Sequence, residues 1–338
     1  MLFIRPVCQN DIADLLELAG KAGDGMTSLP RCEQSLLEKI VRSENSFVEG
    51  PGSADDYFLL VMEDSDKHKV VGTSAVYSRT GARQAFYAYR QMTISHFSHS
   101  LQRQVRSELL HLTNDYTDCS EVGTLFIDPA YRGNGRWLAQ ARYLLMAQFP
   151  YRFAPYLIAE LRGWLDDNGH SPFWDAIGQH FFQMDYAEAD RLCGIGSNLF
   201  ITELMPKYPI YTSMLPEAAR AVIGKPHRDG TRAMALLLEE GFQYENMIDI
   251  FDGGPMLRAR VDNLRSVRAM KRGVAREAAG RLESVPSLIA TSHIENYRAV
   301  YQPLVVSNDN EIFLDAGTLN ALAVRNGDQL RFIQEEKL

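Results

Sequence analysis

The chain has 338 residues, of which 46% are apolar, and its 35 basic and 43 acidic residues give a formal charge of −8. This length predicts two domains, or one large domain with an appendage, and the apolar content is sufficient for an ordinary core. The acidic excess argues against a nucleic-acid-binding protein, because such proteins usually carry a basic excess.

The N-terminus and the cysteines bear on the compartment. The short apolar start ends at Arg5-Pro6, so it does not form the core of a signal peptide. No apolar run approaches the roughly 18 residues that a membrane-spanning helix requires. The four cysteines are widely separated, and neither a Cys-x-x-Cys pair nor zinc-ligand spacing occurs. We therefore expect a cytoplasmic protein with no membrane span, no metal, and buried, reduced thiols.

The first third of the chain alternates between strands and helices. "MLFIRPVCQNDIADLLELAGKAG" predicts a strand and then a helix that Asn10-Asp11 can cap. The loop "GMTSLP" follows. "YFLLVMEDSDKHKVVGTSAVYSR" predicts two strands that form a hairpin around a charged turn, and "AFYAYRQMTISHF" predicts one more strand.

The stretch "GTLFIDPAYRGNGRWLAQARYLLM", residues 123–146, predicts a strand, a glycine turn and a helix. Asp128-Pro129 ends the apolar strand, and Gly133-Asn134-Gly135 provides a tight turn. This order directs backbone N–H groups and the positive end of a helix dipole at one point, which suits a phosphate. Neither a P-loop nor a dinucleotide fingerprint fits, because Arg136-Trp137-Leu138 occupy positions that those motifs reserve for other residues.

The middle of the chain continues the alternation. "YLIAELRGW" predicts a strand, and "SPFWDAIGQHFFQM" predicts a helix that Ser171 caps, with Pro172 in its first turn. "TRAMALLLEEGFQYENMIDIFDGGP" predicts a helix, Gly241 and a strand. The segment from Arg258 to Arg281 then holds eight basic residues. It predicts a solvated connector, with an anion-binding site as the alternative.

Short strands predominate from about Leu282, in "SLIATSHI", "NYRAVYQPLVV", "IFLDA" and "DQLRFIQ", and Asn326-Gly327-Asp328 predicts a hairpin turn. We expect residues 1–256 to form the main domain, residues 257–281 a basic connector and residues 282–338 a small β-rich subdomain. The fold class is α/β (α+β): a mixed sheet flanked by helices on both faces, with the C-terminal β-rich appendage.

The loop Arg132-Gly133-Asn134-Gly135 resembles the Arg/Gln-x-x-Gly-x-Gly/Ala loop of the GNAT superfamily of acyl-CoA N-acyltransferases. The order of predicted elements is also that of this fold. In that superfamily the loop amides hold the pyrophosphate of coenzyme A, and the preceding, splayed strand offers backbone groups to the pantetheine arm. The present sequence departs from the pattern at Trp137, where the superfamily has Gly or Ala.

A longer series of blocks resembles bacterial arginine N-succinyltransferases. The blocks are "GMTSLP", "TLFIDPAYRGNGR", "ELRGW", "GHSPFW", "FFQMDYAEAD", "ELMPKYPIY" and "IDIFDGGP", in this order between about Arg5 and Arg260. The resemblance implies transfer of succinyl from succinyl-CoA to the α-amine of L-arginine, the first step of an ammonia-releasing arginine catabolic route. It implies no tightly bound cofactor, with succinyl-CoA as a co-substrate, and a homodimer or a pair with a similar subunit.

Both resemblances assign residues to coenzyme A and to proton transfer. The implied coenzyme A contacts are Leu125, Phe126, Ile127, Arg132, Gly133, Asn134, Gly135, Arg136 and Trp137. Of the eight histidines, His227 lies in the Gly/Pro loop "IGKPHRDG", where functional residues concentrate. It matches the catalytic His of the family, which has the role of proton donor. No Cys has the setting of a nucleophile, so we expect direct transfer in a ternary complex.

Arginine presents a guanidinium, an ammonium and a carboxylate, so its site should combine carboxylates with cationic or N–H groups. The candidates are Thr27, Ser28, Glu160, Arg162, Asp249 and Asp252. For the carboxylates a salt bridge or a turn cap is an equally good interpretation, and Thr27 and Ser28 are also suited to cap a helix before "RCEQSLLEKI". The succinyl carboxylate requires a further cation, which the sequence does not identify.

Two other functions stay open. One is a partner or regulatory subunit of a two-subunit arginine/ornithine succinyltransferase. Against it, one of the two subunits found in some bacteria lacks the Arg-x-x-Gly loop that this chain has. The other is a related acyltransferase that uses another acyl-CoA or another amine, because a fold does not by itself determine the substrate.

Overall fold

The structure is a computed structural model that describes residues 1–22, 26–194, 199–278 and 284–334. Over these residues the chain forms strands and helices in alternation, and the predicted mixed α/β fold is confirmed. The strands are β1 (Leu2–Pro6), β2 (Tyr57–Asp64), β3 (Lys69–Tyr77), β4 (Ala88–Ser98), β5 (Arg103–Thr113), β6 (Ser120–Ile127), β7 (Tyr156–Glu160), β8 (Ile210–Tyr211), β9 (Gln243–Ile248), β10 (Pro255–Arg260), β11 (Lys271–Glu277), β12 (Val285–Thr291), β13 (Ala299–Val306), β14 (Glu311–Leu314) and β15 (Gln329–Gln334). The α-helices are α1 (Ile12–Ala22), α2 (Glu33–Ser46), α3 (Gly135–Gln148), α4 (Pro172–Ala176), α5 (Gly178–Phe182), α6 (Tyr186–Gly194), α7 (Leu199–Leu204), α8 (Glu217–Val222), α9 (Thr231–Glu240), α10 (Arg265–Ala269) and α11 (Ala316–Leu322).

The chain divides into two compact units. The first comprises residues 1–79, 120–156 and 260–338, and the second comprises residues 80–119 and 157–259. The predicted boundaries at residues 256 and 281 stay a prediction. The segment predicted as a connector contains regular structure, namely most of β10, helix α10 and strand β11. Three of its arginines form ion pairs, with Glu245, Asp262 and Glu311.

In the first unit, strands β1, β2, β3 and β6 pair antiparallel in that order, so the predicted hairpin of β2 and β3 is confirmed. Helices α1 and α2 pack on one face of these strands, where Leu36 and Ile40 join Tyr57 and Ala75 in a core cluster. Helix α3 lies on the opposite face, because the neighbouring Ser74 donates its hydroxyl to a carbonyl of α3, 3.3 Å away.

The C-terminal strands of the first unit close into a ring. Strand β12 pairs with β13 and β15, and β11 joins β15 to β14, which pairs with β13. The predicted C-terminal strands are therefore present. The hairpin assigned to Asn326-Gly327-Asp328 is wrong, because α11 precedes this turn and β15 follows it. Helix α11 begins where the Asp315 carboxylate accepts an N–H from Thr318 at 2.7 Å, a cap that the sequence analysis missed.

The second unit contains the strand order β7-β10-β9-β4-β5-β8. Strand β5 was not predicted, and it forms a long antiparallel hairpin with β4. The helix predicted for "SPFWDAIGQHFFQM" divides into α4 and α5, because Ile177 leaves helical geometry and Gly178 packs directly against the Trp174 ring. The predicted cap is confirmed, since Ser171 accepts the N–H of Trp174 at 3.1 Å.

Two further expectations concern the cysteines and the membrane. Cys119 is buried, but Cys8 is half-buried and Cys32 is exposed at the start of α2, so the expectation of uniformly buried thiols is wrong. Cys32 faces solvent because its position before the first turn of the helix leaves it outside the apolar face. None of the helices in the described residues is sufficiently long and apolar to span a bilayer.

Candidate functional site

Strand β6 carries a β-bulge at the residues predicted to contact coenzyme A. Its pairing with β3 shifts register, so that Ser74 on β3 faces two residues of β6, Thr124 and Leu125. Thr124 has a φ of +55°, and its carbonyl accepts the Thr73 hydroxyl at 2.7 Å. A bulge leaves backbone groups outside the ladder and re-aims side chains. The following residues through Ile127 are half-buried, so this part of the strand is open to a ligand.

The glycine turn follows the bulge directly. Asp128 ends the strand and accepts the N–H of Ala130 at 2.9 Å, which starts a single 3₁₀ turn. Gly133 has a φ of +106°, a conformation that favours glycine, with no atom near the position of an added side chain. Helix α3 then begins at Gly135. The predicted strand, turn and helix are confirmed, and the first N–H groups of the helix are available because they have no intrahelical partners.

Trp137 stands where the superfamily pattern has Gly or Ala, and its contacts explain how a large side chain fits there. Its indole N–H donates to the Asn134 side-chain oxygen at 3.0 Å, and the Asn134 amide donates to the Tyr131 carbonyl at 2.8 Å. The indole is buried and stacks against Tyr301, with ring centroids 6.2 Å apart. The large side chain therefore points into the protein and braces the turn, while Arg132 and Arg136 on the same loop are exposed.

His227 lies in a loop of the second unit that backbone bonds hold in place. Its N–H donates to the Arg162 carbonyl at 2.7 Å, and the preceding Pro226 forms an isolated β-bridge with Gly163. The side chain is 14% exposed. Its Nδ1 accepts the Asp229 N–H at 3.3 Å, so in the neutral ring the proton resides on Nε2.

Burial lowers the pKa of His227, and the positive charge of Arg162 lowers it further, whereas the Asp229 carboxylate opposes the change. That carboxylate lies 3.5 Å from Nδ1. His227 is thus mainly neutral at pH 7, and Asp229 is placed to stabilise the imidazolium when it forms.

The two predicted aspartates serve the backbone of their own loop. Asp252 is buried, and its two oxygens accept the N–H groups of Gly163 at 2.7 Å and Gly254 at 2.8 Å. Asp249 accepts the N–H groups of Phe251 at 2.7 Å and Asp252 at 2.9 Å. Burial and the neighbouring Asp252 raise the pKa of Asp249 to about 8. The hydrogen bonds favour the turn-cap alternative for both residues.

The remaining acceptor candidates belong to different units of the structure. Glu160 is exposed at the end of β7, and Arg162 follows it half-buried. Thr27 and Ser28 belong to the first unit and are half-buried. The helix-cap alternative for these two is wrong, because α2 begins at Glu33 with Cys32 in the capping position, four residues beyond Ser28.

Two titratable residues near these candidates were missed. Asp190 is half-buried on α6, and burial followed by the charge of Asp252 raises its pKa to about 6. The Tyr186 hydroxyl donates to Asp252 at 3.5 Å. Both residues lie in the block "FFQMDYAEAD", whose acidic spacing was visible in the sequence. Nothing in that spacing indicates that α6 approaches the loop of Asp252.

Comparisons with known proteins cover almost the whole chain. The family model described as "Arginine N-succinyltransferase beta subunit" matches residues 2–266, and the model of the C-terminal domain of that subunit matches residues 271–334. The arginine N-succinyltransferase of Yersinia pseudotuberculosis serotype O:3 (strain YPIII) is 42% identical, over 98% of this chain and 97% of that protein. The arginine N-succinyltransferase of Enterobacter sp. (strain 638) is 40% identical, over 100% of this chain and 99% of that protein.

A solved structure agrees with these sequence matches. The arginine/ornithine succinyltransferase subunit AI from Pseudomonas aeruginosa superposes with a TM-score of 0.90 and 32% identity, over 100% of this chain and 99% of that chain. Sequence and fold thus agree from end to end, and the resemblance inferred from the motif blocks is confirmed. The chain belongs to the arginine N-succinyltransferase family.

Proposed function

We propose that this protein transfers the succinyl group of succinyl-CoA to the α-amine of L-arginine, which gives N2-succinylarginine and CoA. The observation that carries the proposal is a bulged strand, glycine turn and helix start, set in a chain that matches arginine N-succinyltransferases over its full length. Succinyl-CoA is a co-substrate, and the reaction requires no tightly bound cofactor.

Coenzyme A lies along β6 in this proposal. The backbone of Leu125, Phe126 and Ile127 receives the pantetheine arm, because the bulge frees backbone groups there. The loop from Arg132 to Trp137 holds the pyrophosphate, because its N–H groups and the start of α3 favour an anion. The exposed Arg132 and Arg136 side chains add positive charge on the same loop.

His227 transfers a proton during the direct reaction of the two substrates. The α-ammonium must lose a proton before it attacks, and the CoA thiolate gains one as it leaves. Because His227 is mainly neutral at pH 7 and carries its proton on Nε2, it takes up a second proton at Nδ1 and delivers the proton on Nε2 to the thiolate. Asp229 stabilises the intermediate imidazolium through Nδ1.

Glu160, exposed at the end of β7, and Arg162, whose carbonyl accepts the His227 N–H, stay candidate acceptor contacts in this proposal. Thr27 and Ser28 stay candidates in the first unit. Asp249 and Asp252 instead order the loop beside His227, because their oxygens already accept backbone N–H groups.

The test is a panel of acyl-CoA donors against basic amino acids, scored by CoA release from the chain purified alone. We expect succinyl-CoA with arginine to give the highest kcat/KM. His227→Ala should lower kcat by roughly 10² to 10⁴ and change KM for succinyl-CoA little, since general acid–base help has this size. His180→Ala is the matched control, because His180 lies on α5 outside the loop. Preference for ornithine, or activity only with an added similar subunit, would favour the corresponding alternative.

A further inference from the structure

A polar pocket in the first unit lies beside the bulge of β6, and we define it as the Lys39–Glu121 pocket. Its members are Lys39 on α2, Tyr57 on β2, Tyr77 on β3, and Glu121 and Thr124 on β6. It adjoins the residues assigned to the pantetheine arm, because Glu121 precedes Leu125 by four positions on one strand. Neither His227 nor the glycine turn belongs to it.

Lys39 provides a cation that protein groups leave largely unpaired. Its ammonium donates to the Tyr77 hydroxyl at 3.3 Å and lies over the Tyr57 and Tyr77 rings, 5.5 and 5.8 Å from their centroids. Within the described part of the chain no carboxylate forms a salt bridge with it. The neighbouring Arg42 differs, because Asp55 pairs with its guanidinium at 2.8 Å.

Glu121 provides a carboxyl group on the same side of the sheet. It is the direct cross-strand partner of Tyr77, and the charge of Lys39 acts on it. Over the described residues the carboxyl accepts no hydrogen bond, and the side chain is half-buried, so a ligand can reach it. Gly123, two residues later on the same face, leaves space there: an added side chain would meet only Tyr77 at 3.6 Å and Glu121 at 3.9 Å.

Two buried hydroxyls add unused hydrogen-bonding capacity. The Tyr57 hydroxyl is fully buried, and the Thr124 side chain is 3% exposed. In the parts of the chain that the structure describes, neither hydroxyl forms a hydrogen bond of good geometry, although the two lie close enough to interact with each other and with Tyr77. The Tyr57 ring lies 4.6 Å from the Tyr77 ring, so its hydroxyl belongs to the same pocket. Burying a polar group without a good partner is unfavourable, and a polar ligand would offset that cost.

We propose that the Lys39–Glu121 pocket binds the head group of an α-amino acid acceptor, with Lys39 on the α-carboxylate and Glu121 as the base for the α-ammonium. The two groups of the head are bonded to one carbon, and the pocket holds a cation and a carboxyl that both adjoin Tyr77. Gly123 lies ~7 Å along the strand from Glu121, next to the bulge assigned to the thioester arm. Met26 and Leu29, which flank Thr27 and Ser28 in their loop, pack in the same hydrophobic cluster as Tyr57 and Tyr77.

The proton balance is complete with this assignment. Glu121 takes one proton from the α-ammonium and later releases it to solvent. The free amine attacks the thioester carbon, the C–N bond forms and the C–S bond breaks. After the C–N bond forms, the α-nitrogen loses a second proton. This loss balances the proton that the CoA thiolate gains by way of His227. The distal carboxylate of the succinyl group is a poorer occupant, because an ionised Glu121 would repel it.

The pKa of Glu121 suits a general base that works near neutral pH. Burial raises the pKa of Glu121 to about 7, and Lys39 opposes the change. The other charged or titratable groups that face the pocket are Arg42, Tyr57 and Tyr77. Burial raises the pKa of Tyr77 to about 12, so the tyrosines stay neutral and Glu121 is the group that titrates near pH 7.

The experiment compares arginine with agmatine, which has the amine and the guanidinium but no α-carboxylate. Lys39→Met should raise KM for arginine by about 10- to 100-fold and leave KM for agmatine and for succinyl-CoA unchanged, because only arginine loses a charged partner. Glu121→Gln should lower kcat by roughly 10² to 10⁴ and abolish the rise of kcat with pH on the acid side. Lys69→Met is the matched control, since its ammonium pairs with Glu17 on the surface.

The proposal rests on the proposed function only for the name of the acceptor. If another α-amino acid proves to be the acceptor, the proposed function fails, and the pocket is tested with that amino acid and its decarboxylated amine. Calorimetry of L-arginine and agmatine binding to the wild-type and Lys39→Met proteins, with CoA present, makes the comparison without turnover. An unchanged arginine-to-agmatine ratio in Lys39→Met, or an effect on KM for succinyl-CoA instead, overturns the proposal, as does full activity of Glu121→Gln.

Discussion

At the scale of single residues, the surroundings of each side chain decide what it can do. Trp137 and His227 were both selected from sequence patterns, yet their roles differ. The Trp137 indole bonds to Asn134 and braces the turn from inside, so a bulky residue is tolerated beside the proposed phosphate site. His227 has a lowered pKa and one ring nitrogen already bonded, which leaves Nε2 as the nitrogen available for the proposed proton transfer.

Asp229 supplies a prediction at this scale. Asp229→Asn removes the carboxylate that raises the pKa of His227, so this pKa should fall. The change should be small, because Asp229 is 85% exposed and solvent screens its charge. NMR titration of the histidine rings measures the pKa, with His227→Ala to assign the signal. If His227 donates a proton, kcat at pH 8 falls by up to about two-fold; an unchanged or higher kcat would identify His227 as a base.

At the scale of elements, the loop between β9 and β10 positions the loop of His227. Gly224 donates its N–H to the Gly253 carbonyl at 2.8 Å, and Asp252 holds the Gly163 N–H, next to the carbonyl that accepts the His227 N–H. Two separate hydrogen bonds thus join the β9–β10 loop to the segments that hold His227. Both depend on the backbone conformation from Asp249 to Gly254. The sequence block "IDIFDGGP" therefore supports the loop that carries His227.

Matched variants of the two aspartates test this arrangement. Asp252→Asn places an amide N–H against one backbone N–H, so it should lower the free energy of unfolding by about 1–3 kcal/mol and lower kcat. Asp249→Asn should keep kcat, because one oxygen accepts both backbone N–H groups and the carboxyl is already protonated near pH 7. Thermal unfolding and steady-state kinetics give both values, and equal losses in the two variants would refute the idea.

The same pair predicts a pH dependence of stability. The folded-state pKa of Asp249 is raised above its unfolded value, so its contribution is complete below about pH 4 and is lost as the pH rises through about 8. The wild-type Tm should therefore decline between pH 6 and 9 more steeply than that of Asp249→Asn. Parallel Tm curves for the two proteins would show that Asp249 is ionised in the folded state.

At the scale of the whole molecule, the chain forms two compact units, each assembled from separated segments. Residues 1–79 join residues 260–338 in the first unit, where β1 pairs with β13. The family resemblance also implies assembly beyond one chain. We expect a homodimer, or a pair with a similar subunit, and light scattering at micromolar concentration measures the mass. A fully active monomer would contradict this prediction.

Local sequence determined much of the fold and the position of the glycine turn before α3. The strand, glycine turn and helix from Thr124 to Met146 follow from a short apolar run, a turn glycine with positive φ and the helical spacing of apolar residues. All three act over a few residues. The cap at Ser171 and the Gly241 helix end are of the same kind. The errors also have local causes: polar β5 lacks an apolar alternation, and α11 is short.

Tertiary structure alone decided which distant residues meet. Lys39 and Glu121 are 82 positions apart, and neither stands out in the sequence, because a lysine on a helix and a glutamate in a strand usually face solvent. Packing of α2 across β2, β3 and β6 brings them together and buries Glu121 enough to raise its pKa. Sequence thus determined the family, the elements and the glycine turn. The environment that shifts the pKa of a carboxyl or an imidazole arises only from long-range packing, since burial and neighbouring charge have no local signature.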